Sequence, residues 1–581
     1  MSTGYIVGLS TGHNSSVCLL KDGEIVFSIE EERLSRKKYD GGAILGLIKV
    51  KDYTDKVDQI AIVSTNPTIF DGKIDWTGEH VYLTLARKLG LIDNESQIID
   101  LRSQHHRTHA AIAFYNSGFT NAAAVVADGA GSIVMVNDTP CYEVESVYSC
   151  SYKKGIRPVY KHVATNYFSQ NIETETTDDI SGNKYKIVVN SNAGITKCYE
   201  AVTEYCGFHP IEAGKTMGLS PYGVSNRSHL FSSGFADKNK IIPSYPATAR
   251  LVDAEACSTG CSCSGSCNED VTLKQDRRDT AAWIQKETQE EMLKLIKKAV
   301  QLTGTKNVVL SGGYGLNCVA NYYYLDELNK DGIKLYIEPI SNDGGTAIGA
   351  ALFTYYMNNK DDVVPRIKAS SLYLGPYVDY TGQFTSVCKK YEAELVPNID
   401  NKDIVKLLRD KNIVAYFQGR SENGPRALGN RSILFDPTFK DGKDFVNRVK
   451  RREYFRPFAA SVMEDKAYDW FDLKGMESSP HMMYAVNCKN DIADRIPSVI
   501  HVDGTCRVQT VNISENKNYY ELISEFYSET GIPLLFNTSF NLGGEPLVET
   551  LDDAVRTLAS SDIEYCYFPE YKYLVVIKNK G

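Results

Sequence analysis

One stretch of the sequence constrains the fold more than any other, because it joins a helix signature to a strand signature. The segment HHRTHA begins at His105, and the later apolar run AAAVVA leads into Asp128 and a glycine turn. Side chains four residues apart on a helix lie one above the other, so His105 and His109 can direct both imidazoles to one point, while His106 points elsewhere. A buried strand that ends in an acidic glycine turn is typical of an α/β domain, where such carboxylates face a ligand.

A second carboxylate of this kind follows later in the chain. Asp343 comes after the strand-like segment LYIEP and directly before the helix GGTAIGAALFTYY. Two imidazoles and two carboxylates form a mixed nitrogen and oxygen set that suits a divalent metal and leaves coordination positions for a phosphate or water. Helices also place histidines at this spacing by chance, so at this point a cluster without metal is the alternative.

The length and charge of the chain narrow the class of protein. With 581 residues the chain is too long for one hydrophobic core, which predicts two or more domains. A net charge of −9 argues against a general nucleic-acid binder. No apolar run approaches the roughly 18 residues of a membrane span, and the first residues lack the features of a signal peptide. We therefore expect a cytoplasmic protein without a membrane partner.

The cysteines indicate a reducing compartment. Most of the 14 are scattered singly among apolar residues, which is usual for buried free thiols. One group stands apart in a Ser/Gly-rich segment with the spacing C-x3-C-x-C-x3-C, which matches no standard zinc knuckle. This group is either a structural metal site or a surface loop without metal, and its members are Cys257, Cys261, Cys263 and Cys267.

Glycine-punctuated turns recur through the first half of the chain. The small-residue loop TGHNSS carries His13 between two strands, and the segment EAGKTMGLSPYG carries Lys215. The turn SGGYGLNCVAN follows a strand and opens a helix, which suits a nucleotide phosphate. This order of elements resembles the actin-like, sugar-kinase-like ATPase fold, in which two related α/β halves clamp a nucleotide. Residues 151–192 and 224–275 show little periodicity and are expected to be insertions or lids.

The last third of the chain is rich in cationic side chains within Gly/Pro-rich apolar segments. Arginine offers a planar fork that fits phosphate or carboxylate, and lysine offers a point charge. Solvated charges usually lie in polar runs, so this setting favours a phosphate pocket over surface ion pairs. The residues concerned are Arg420, Arg426, Arg431, Lys450, Arg451, Arg452, Arg456 and Arg507, followed by Asn537, Thr538 and Ser539 at a strand end.

Taken together, nine segments resemble the carbamoyltransferases of the nodulation and antibiotic-tailoring type, and they occur in that family's order. They cover nearly the whole chain apart from the two expected insertions. The segments are HHRTHA, VVADGAGS, AGKTMGLSPYG, LSGGYGLNCVAN, NDGGTAIGAAL, GRSENGPRALGNRSILFDP, VKRREYFRPFAAS, HVDGTCRVQTV and FNTSFNLGGEPLV.

The resemblance implies an α/β protein of two domains. Residues 1–365 would form an actin-like domain, similar to the universal tRNA threonylcarbamoyl-transfer protein, that holds a metal and ATP. Residues 366–581 would form an α/β domain similar to threonylcarbamoyl-adenylate synthase that takes carbamoyl phosphate. The resemblance implies Fe²⁺ as the metal, with Mg²⁺, Mn²⁺ or Zn²⁺ as alternatives, and a homodimer is the candidate assembly.

The resemblance also assigns roles to individual residues. His13 and Lys38 match positions at the transfer centre, where His13 is either a general base or a residue that hydrogen-bonds its own loop. The metal ligands would be His105, His109, Asp128 and Asp343. The nucleotide residues would be Gly129, Gly131, Gly312, Gly313 and Asn317, with Lys215 as a further candidate. The carbamoyl phosphate residues would be Arg426, Arg431, Lys450, Arg456, Arg507, Asn537 and Ser539.

The function implied is ATP-dependent transfer of a carbamoyl group, through carbamoyl adenylate, to a hydroxyl group. The acceptor could be a small molecule, a sugar or a modified nucleoside, because variable loops read the acceptor in such enzymes. Two alternatives remain, a tRNA threonylcarbamoyl transferase and a nucleotide-binding protein without catalysis. The acidic net charge argues against a tRNA partner.

Overall fold

The computed structural model describes residues 4–64, 81–167, 171–232, 234–245, 249–252, 271–360, 364–366, 371–489 and 492–578. The four cysteines at 257, 261, 263 and 267 lie outside these ranges. The chain divides into two compact units, the first comprising Met1–Val26 and Gly41–Ser370 and the second comprising Phe27–Asp40 and Ser371–Gly581. No helix within the described residues combines the length and the apolar character needed to cross a bilayer.

The first unit begins with a mixed sheet in the order β3-β2-β1-β4-β5. Strand β1 pairs with β2 in antiparallel and with β4 in parallel orientation, and β4 pairs with β5 in parallel orientation. Strand β3 leads into helix α1 (Glu31–Ser35), which belongs to the second unit. The strands are β1 (Tyr5–Thr11), β2 (Ser16–Lys21), β3 (Glu24–Glu30), β4 (Gln59–Ser64) and β5 (Ile98–Asp100).

A second sheet of the same unit repeats this arrangement in the order β10-β11-β9-β8-β6-β14-β15, with β7 paired to β8. Strand β6 is antiparallel to β8 and parallel to β14, which is parallel to β15. The strands are β6 (Asn121–Ala127), β7 (Ile133–Val136), β8 (Thr139–Ser151), β9 (Gly155–Ala164), β10 (Ile172–Thr177), β11 (Lys184–Asn190), the separate pair β12 (Ile241–Ile242) and β13 (Arg250–Leu251), β14 (Asn307–Ser311) and β15 (Lys334–Ile337). The duplicated topology confirms the predicted fold of two related α/β halves.

Helices cover these sheets. Helices α4 and α7 both pack against β6, which explains why that strand is an uninterrupted apolar run. The helices are α2 (Ile44–Lys49), α3 (Val81–Lys88), α4 (His105–Asn116), α5 (Ile195–Tyr205), α6 (Ala213–Leu219), α7 (Gln275–Thr303), α8 (Cys318–Lys330) and α9 (Thr346–Asn358).

The segment 151–192, which we expected to be an insertion or lid, instead supplies strands β9, β10 and β11 to the second sheet. These strands were not recognisable in the sequence because β8 and β9 bury charged side chains, which interrupt the apolar alternation of a strand. Glu143, Glu145, Lys161 and His162 are all buried where alternation would place apolar residues. The segment 224–275 contributes β12 and β13, and residues 253–270 of it lie outside the described ranges.

The second unit contains one mixed sheet in the order β16-β25-β24-β17-β18-β23-β19-β22-β21-β20, which confirms its predicted α/β class. Its strands are β16 (Glu394–Pro397), β17 (Val414–Phe417), β18 (Arg431–Phe435), β19 (Ala459–Met463), β20 (Phe471–Asp472), β21 (Ala485–Cys488), β22 (Thr505–Val511), β23 (Leu534–Ser539), β24 (Tyr565–Phe568) and β25 (Tyr573–Val576). Its other helices are α10 (Phe384–Lys390), α11 (Asn401–Arg409), α12 (Gly442–Val449), α13 (Ala467–Trp470), α14 (Lys517–Thr530) and α15 (Leu551–Ala559).

The segment 27–40 groups with the second unit, although the sequence placed all of 1–365 in one domain. Two arginines of this segment explain the difference. Arg33 donates hydrogen bonds to the carbonyl oxygens of Glu422 and Gly424 at 2.8 and 2.9 Å. Arg36 donates to the carbonyl oxygens of Leu547 and Pro546 at 2.6 and 3.0 Å. Nothing in the local sequence distinguishes these arginines from solvated charges.

Candidate functional site

In the first unit, helix packing brings the predicted imidazoles and carboxylates together. Helix α4 begins at His105, so His105 and His109 lie on one face of its first turns. Helix α9 packs closely on α4, since a Cβ at Gly349 would lie 2.0 Å from the carbonyl oxygen of Thr108. This close approach brings Asp343, which stands three residues before α9, to the two histidines.

The four side chains offer ligand atoms that all lie within 4.8 Å of one another, and the four residues are buried. The Nε2 atoms of His105 and His109 are 3.1 Å apart. His105 Nε2 lies 3.3 Å from Asp128 Oδ2, and both Nε2 atoms lie 3.5 Å from Asp343 Oδ1. The chemistry of this donor set fits a borderline divalent cation.

The electrostatics of the cluster agree with a site for positive charge. Burial works against the protonated form of His105, but Asp343 and the hydrogen bond to Asp128 raise its pKa to about 10. Burial also works against the charged form of Asp128, but the hydrogen bond from His105 and the two neighbouring imidazoles lower its pKa to about 2. The carboxylates of Asp128 and Asp343 thus favour positive charge at this position.

Neighbouring groups fix the orientation of these side chains. Ser311 Oγ lies 3.3 Å from His109 Nδ1, and the Gly313 N–H donates to Asp128 Oδ1 at 3.1 Å. His106 is directed away from the cluster, with Nδ1 at 2.8 Å from Ser146 Oγ. Such contacts hold metal-binding imidazoles and carboxylates in one geometry.

The glycines predicted to contact a nucleotide lie beside the cluster. Gly312 has a φ of 90°, and a Cβ there would lie 2.3 Å from the carbonyl oxygen of Ala127. A Cβ at Gly129 would meet Glu200, and one at Gly131 would meet His106. The Ala127 backbone therefore requires glycine at position 312, and at positions 129 and 131 a larger residue would have to displace the neighbouring side chains.

Two other nucleotide candidates have partners within the protein. Asn317 caps α8 by accepting the Ala320 N–H at 3.1 Å, and its amide donates to Gln285 at 3.0 Å. Lys215 pairs with Glu212 at 2.9 Å, and its ammonium lies over the ring of Phe208. Lys215 therefore contacts near neighbours in the sequence, whereas Asn317 also links the start of α8 to α7.

Sequence reasoning missed an ion pair beside the Asp128 turn. Lys197 Nζ lies 2.7 Å from Glu200 Oε2 on α5, and a Cβ at Gly129 would lie 2.3 Å from Glu200 Oε1. Burial raises the pKa of Glu200, while its ion pair with Lys197 opposes that shift. The signal available in the sequence was the charged residues of TKCYEAVTEYCGF within an otherwise apolar helix.

The two residues predicted for the transfer centre occur in different units. His13 lies at the metal-ligand cluster, with Nδ1 at 3.5 Å from Asp343 Oδ2, and its side chain is 45% exposed. Lys38 belongs to the second unit, where its ammonium lies 2.7 Å from Glu32 Oε1.

The second unit contains a cationic cluster, which we define as Lys450, Arg452, Arg456 and Arg507. Burial and the charges of Arg452 and Arg456 hold the pKa of Lys450 well below its ordinary value. Burial and the charges of Arg456 and Arg507 do the same for the pKa of Arg452. Mutual repulsion of this kind is relieved when an anion binds.

Strand ends place hydrogen-bonding groups beside the cationic cluster. The ammonium of Lys450 lies 3.3 Å from Ser539 Oγ, and Arg452 lies 3.4 Å from Thr538 Oγ1. Ala459 pairs in register with both Arg507 and Asn537, so these two residues flank one strand. Sequence reasoning placed Arg452 among the cations but not among the binding residues.

Asn447, on α12, holds the loop that carries three of these cations. Its carbonyl oxygen accepts the Arg452 N–H at 2.9 Å. Its side-chain amide donates to the carbonyl oxygens of Tyr454 and Arg456 at 3.3 and 3.2 Å. This residue, which the sequence did not single out, fixes the backbone from which Arg452 and Arg456 project.

Three further residues were predicted for the carbamoyl phosphate pocket but are not part of the cationic cluster. Arg431 is buried, donates to backbone carbonyl oxygens including Gln418 at 2.6 Å, and stacks on Phe417 at 3.6 Å. Arg426 is half-buried in the same loop. Asn537 is buried, and its amide donates to the Ala427 carbonyl oxygen at 3.1 Å. The structure thus gives Arg431 a role in holding the loop.

Comparisons with known proteins identify the family to which this chain is similar. Family models described as carbamoyltransferase N-terminus and carbamoyltransferase C-terminus match residues 51–352 and 405–574. An uncharacterized protein of Synechocystis sp. is 29% identical over 97% of this chain and 95% of its own length. Nodulation protein NolNO of Sinorhizobium fredii is 28% identical over 95% of this chain and 77% of its own length. A crystal structure of full-length HypF in the phosphate- and nucleotide-bound form matches 61% of this chain and 56% of that chain, with 13% identity and a TM-score of 0.36.

Proposed function

Because the chain belongs to the carbamoyltransferase family, we propose that it is an ATP-dependent O-carbamoyltransferase. It would move the carbamoyl group of carbamoyl phosphate, through carbamoyl adenylate, to a hydroxyl group of an acceptor. The observation that carries this proposal is the cationic cluster, in which Lys450 is buried and Arg452 lies near the like charges of Arg456 and Arg507. Carbamoyl phosphate carries the negative charge that such a cluster requires.

The proposed chemistry has three balanced steps. Water cleaves carbamoyl phosphate to carbamate and phosphate. A carbamate oxygen then attacks the α-phosphorus of ATP, which forms carbamoyl adenylate and releases pyrophosphate. Finally, the acceptor oxygen attacks the carbonyl carbon and AMP leaves. In this scheme Lys450, Arg452, Arg456 and Arg507 neutralise the phosphate group, and the hydroxyls of Thr538 and Ser539 orient it.

The imidazole and carboxylate cluster would hold a divalent cation through His105, His109, Asp128 and Asp343. When bound, such a cation supplies Lewis acidity toward nucleotide phosphate oxygens and the activated carbonyl. The donor set favours Fe²⁺, Mn²⁺ or Zn²⁺ over Mg²⁺, which prefers oxygen ligands and keeps its waters. The nucleotide phosphates would lie against the backbone of the turns that contain Gly129, Gly312 and Gly313.

His13 is the candidate general base. Its Nδ1 faces Asp343 at 3.5 Å, which leaves Nε2 to accept the proton of the acceptor hydroxyl. Its half-exposed position suits a group that must meet an incoming substrate. Histidine is also the side chain that most often serves as a general base.

Omission of single components tests the proposal. We expect AMP to form from ATP only when carbamoyl phosphate and a divalent cation are both present. Pyrophosphate should form in equal amount, which separates adenylation from simple ATP hydrolysis. AMP formation that continues at the same rate without carbamoyl phosphate would defeat the proposal.

A further inference from the structure

Two carboxylates on β8 are buried beside the candidate site, and no step of the proposed reaction uses them. Glu143 and Glu145 are 0% and 3% exposed. The pairing of β8 with β9 shifts register between them. Their partners on β9 are the successive residues Lys161 and His162, which point to opposite faces of the sheet, so the two carboxylates reach different segments. Each carboxylate bonds a basic side chain on β9 and a backbone N–H of a segment at the site.

Glu143 supports the metal-ligand side of the site. Its Oε1 forms an ion pair with Lys161, and its Oε2 accepts the Ser132 N–H at 3.1 Å. The hydroxyl of Ser132 in turn accepts the His105 N–H at 2.8 Å. Glu143 therefore connects to the candidate metal ligand His105 through Ser132, which belongs to the loop that begins at Asp128.

Glu145 supports the helix that borders the glycine turn. Its Oε2 contacts His162 Nδ1, and its Oε1 accepts the Ile195 N–H at 2.7 Å. Ile195 is the first residue of α5, whose next turn carries Lys197 and Glu200 beside Gly129. Glu145 therefore fixes where α5 begins and where that ion pair stands.

The two glutamates differ in whether an amide could replace the carboxylate and keep its hydrogen bonds. Asn190 Oδ1 accepts the Asn192 N–H at 3.0 Å, so this atom is the amide oxygen, and His162 Nε2 at 3.0 Å must donate to it. His162 can therefore keep one N–H at Nε2 and offer Nδ1 as an acceptor if the facing carboxylate becomes an amide. Lys161 has only donors, so it cannot accept a hydrogen bond from an amide that replaces Glu143.

We propose that Glu143 and Glu145 are positioning residues for two different ligands, Glu143 for the divalent cation and Glu145 for the nucleotide. The inference rests on the proposed function, because it takes the cation and nucleotide sites as given. It goes further by stating that two neighbours on one strand control the two affinities separately. Loss of a contact that orients a metal ligand typically lowers metal affinity by roughly 10–100-fold.

The test uses the full chain, freed of metal, with Mn²⁺ titrated alone and ADP titrated at saturating Mn²⁺. Glu143→Ala and Glu143→Gln should both weaken Mn²⁺ binding at least ~10-fold and leave ADP affinity at saturating metal within ~2-fold. Glu145→Ala should weaken ADP binding at least ~10-fold, which is about 1.4 kcal/mol, and leave Mn²⁺ affinity within ~2-fold. Glu145→Gln should retain ADP affinity, since its amide keeps both hydrogen bonds.

If Glu145→Ala does not fold, Glu145→Asp takes its place. This variant keeps the charge, but its shorter side chain does not reach the Ile195 N–H, so it should also lose ADP affinity. The inference is overturned if every variant weakens both ligands equally, or if Glu145→Gln loses as much affinity as Glu145→Ala. Failure of the wild-type chain to bind either Mn²⁺ or ADP would overturn the proposed function and this inference with it. The inference is supported if the Glu143 variants lose affinity for Mn²⁺ alone and Glu145→Ala loses affinity for ADP alone.

Discussion

Replacement of Arg452 by methionine separates the stability of the cationic cluster from its function. Arg452 is surrounded by like charges, and burial together with Arg456 and Arg507 holds its pKa well below the ordinary value. Its guanidinium makes a long hydrogen bond of 3.4 Å to Thr538 and lies 4.9 Å from the ring centre of Phe458. Methionine keeps the apolar contact with the ring and removes the charge.

The surroundings of Arg452 predict how Arg452→Met changes the free energy of unfolding and the free energy of anion binding. Without an anion, removal of one like charge should leave the free energy of unfolding unchanged or raise it. With an anion, loss of a desolvated cation should cost at least ~2 kcal/mol of binding free energy, the lower end of the range for truncated buried charge pairs. That loss is about 30-fold in Kd. At a ligand concentration of ~100 times the wild-type Kd, stabilisation should fall from about 2.7 to about 0.9 kcal/mol.

Calorimetric titration with carbamoyl phosphate and thermal unfolding with and without inorganic phosphate measure both quantities. Arg451→Met is the matched control, because Arg451 is the neighbouring residue, carries the same charge, is exposed and donates to the Ser560 carbonyl oxygen at 3.0 Å. The control should retain wild-type affinity. Arg452→Met with wild-type affinity, or with a large loss of stability in the absence of anion, would refute the assignment of this cluster.

Three further predictions address other parts of the chain. His105→Ala should remove the bound metal and the activity while carbamoyl phosphate affinity stays within ~2-fold, because the variant leaves the cationic cluster intact; elemental analysis and calorimetry would show this. Arg431→Met should lower the free energy of unfolding by at least ~3 kcal/mol in urea titrations, since several buried carbonyl oxygens lose their donor at ~1–3 kcal/mol each. Burial raises the pKa of Glu338 to about 7 from 4.5, so the folded chain keeps a proton that the unfolded chain releases. Between those pH values the stability of the wild type should therefore fall with rising pH more steeply than that of Glu338→Gln, as urea titrations at pH 5 and pH 7 would measure.

The sequence predicted those parts of the site that depend on local rules. The helical spacing of His105 and His109 and the strand-end position of Asp128 predict convergence, and the structure places all four candidate ligands together. The identity of a bound metal stays a prediction. The duplicated strand order also follows from patterns that the sequence displays, such as the apolar run of β6.

Other parts of the site depend on contacts between distant residues. Arg431 and Arg452 are both arginines in Gly-rich or aromatic segments, yet Arg431 bonds backbone carbonyl oxygens and Arg452 faces like charges. A guanidinium fits a carbonyl oxygen and a phosphate oxygen equally well, so the sequence cannot tell which partner it meets. The strands between residues 151 and 192 were missed because buried ion pairs interrupt their apolar pattern.

The central claim is that this chain transfers a carbamoyl group to oxygen at the expense of ATP. The most direct measurement supplies carbon-labelled carbamoyl phosphate, ATP and Mn²⁺ or Fe²⁺ together with a panel of sugars, cyclitols and nucleosides, and follows the label. We expect a labelled O-carbamate on one class of acceptor, formed in a one-to-one ratio with AMP. Label transfer that proceeds equally without ATP, or AMP formation with no labelled carbamate on any hydroxyl compound in the panel or in a host extract, would contradict it.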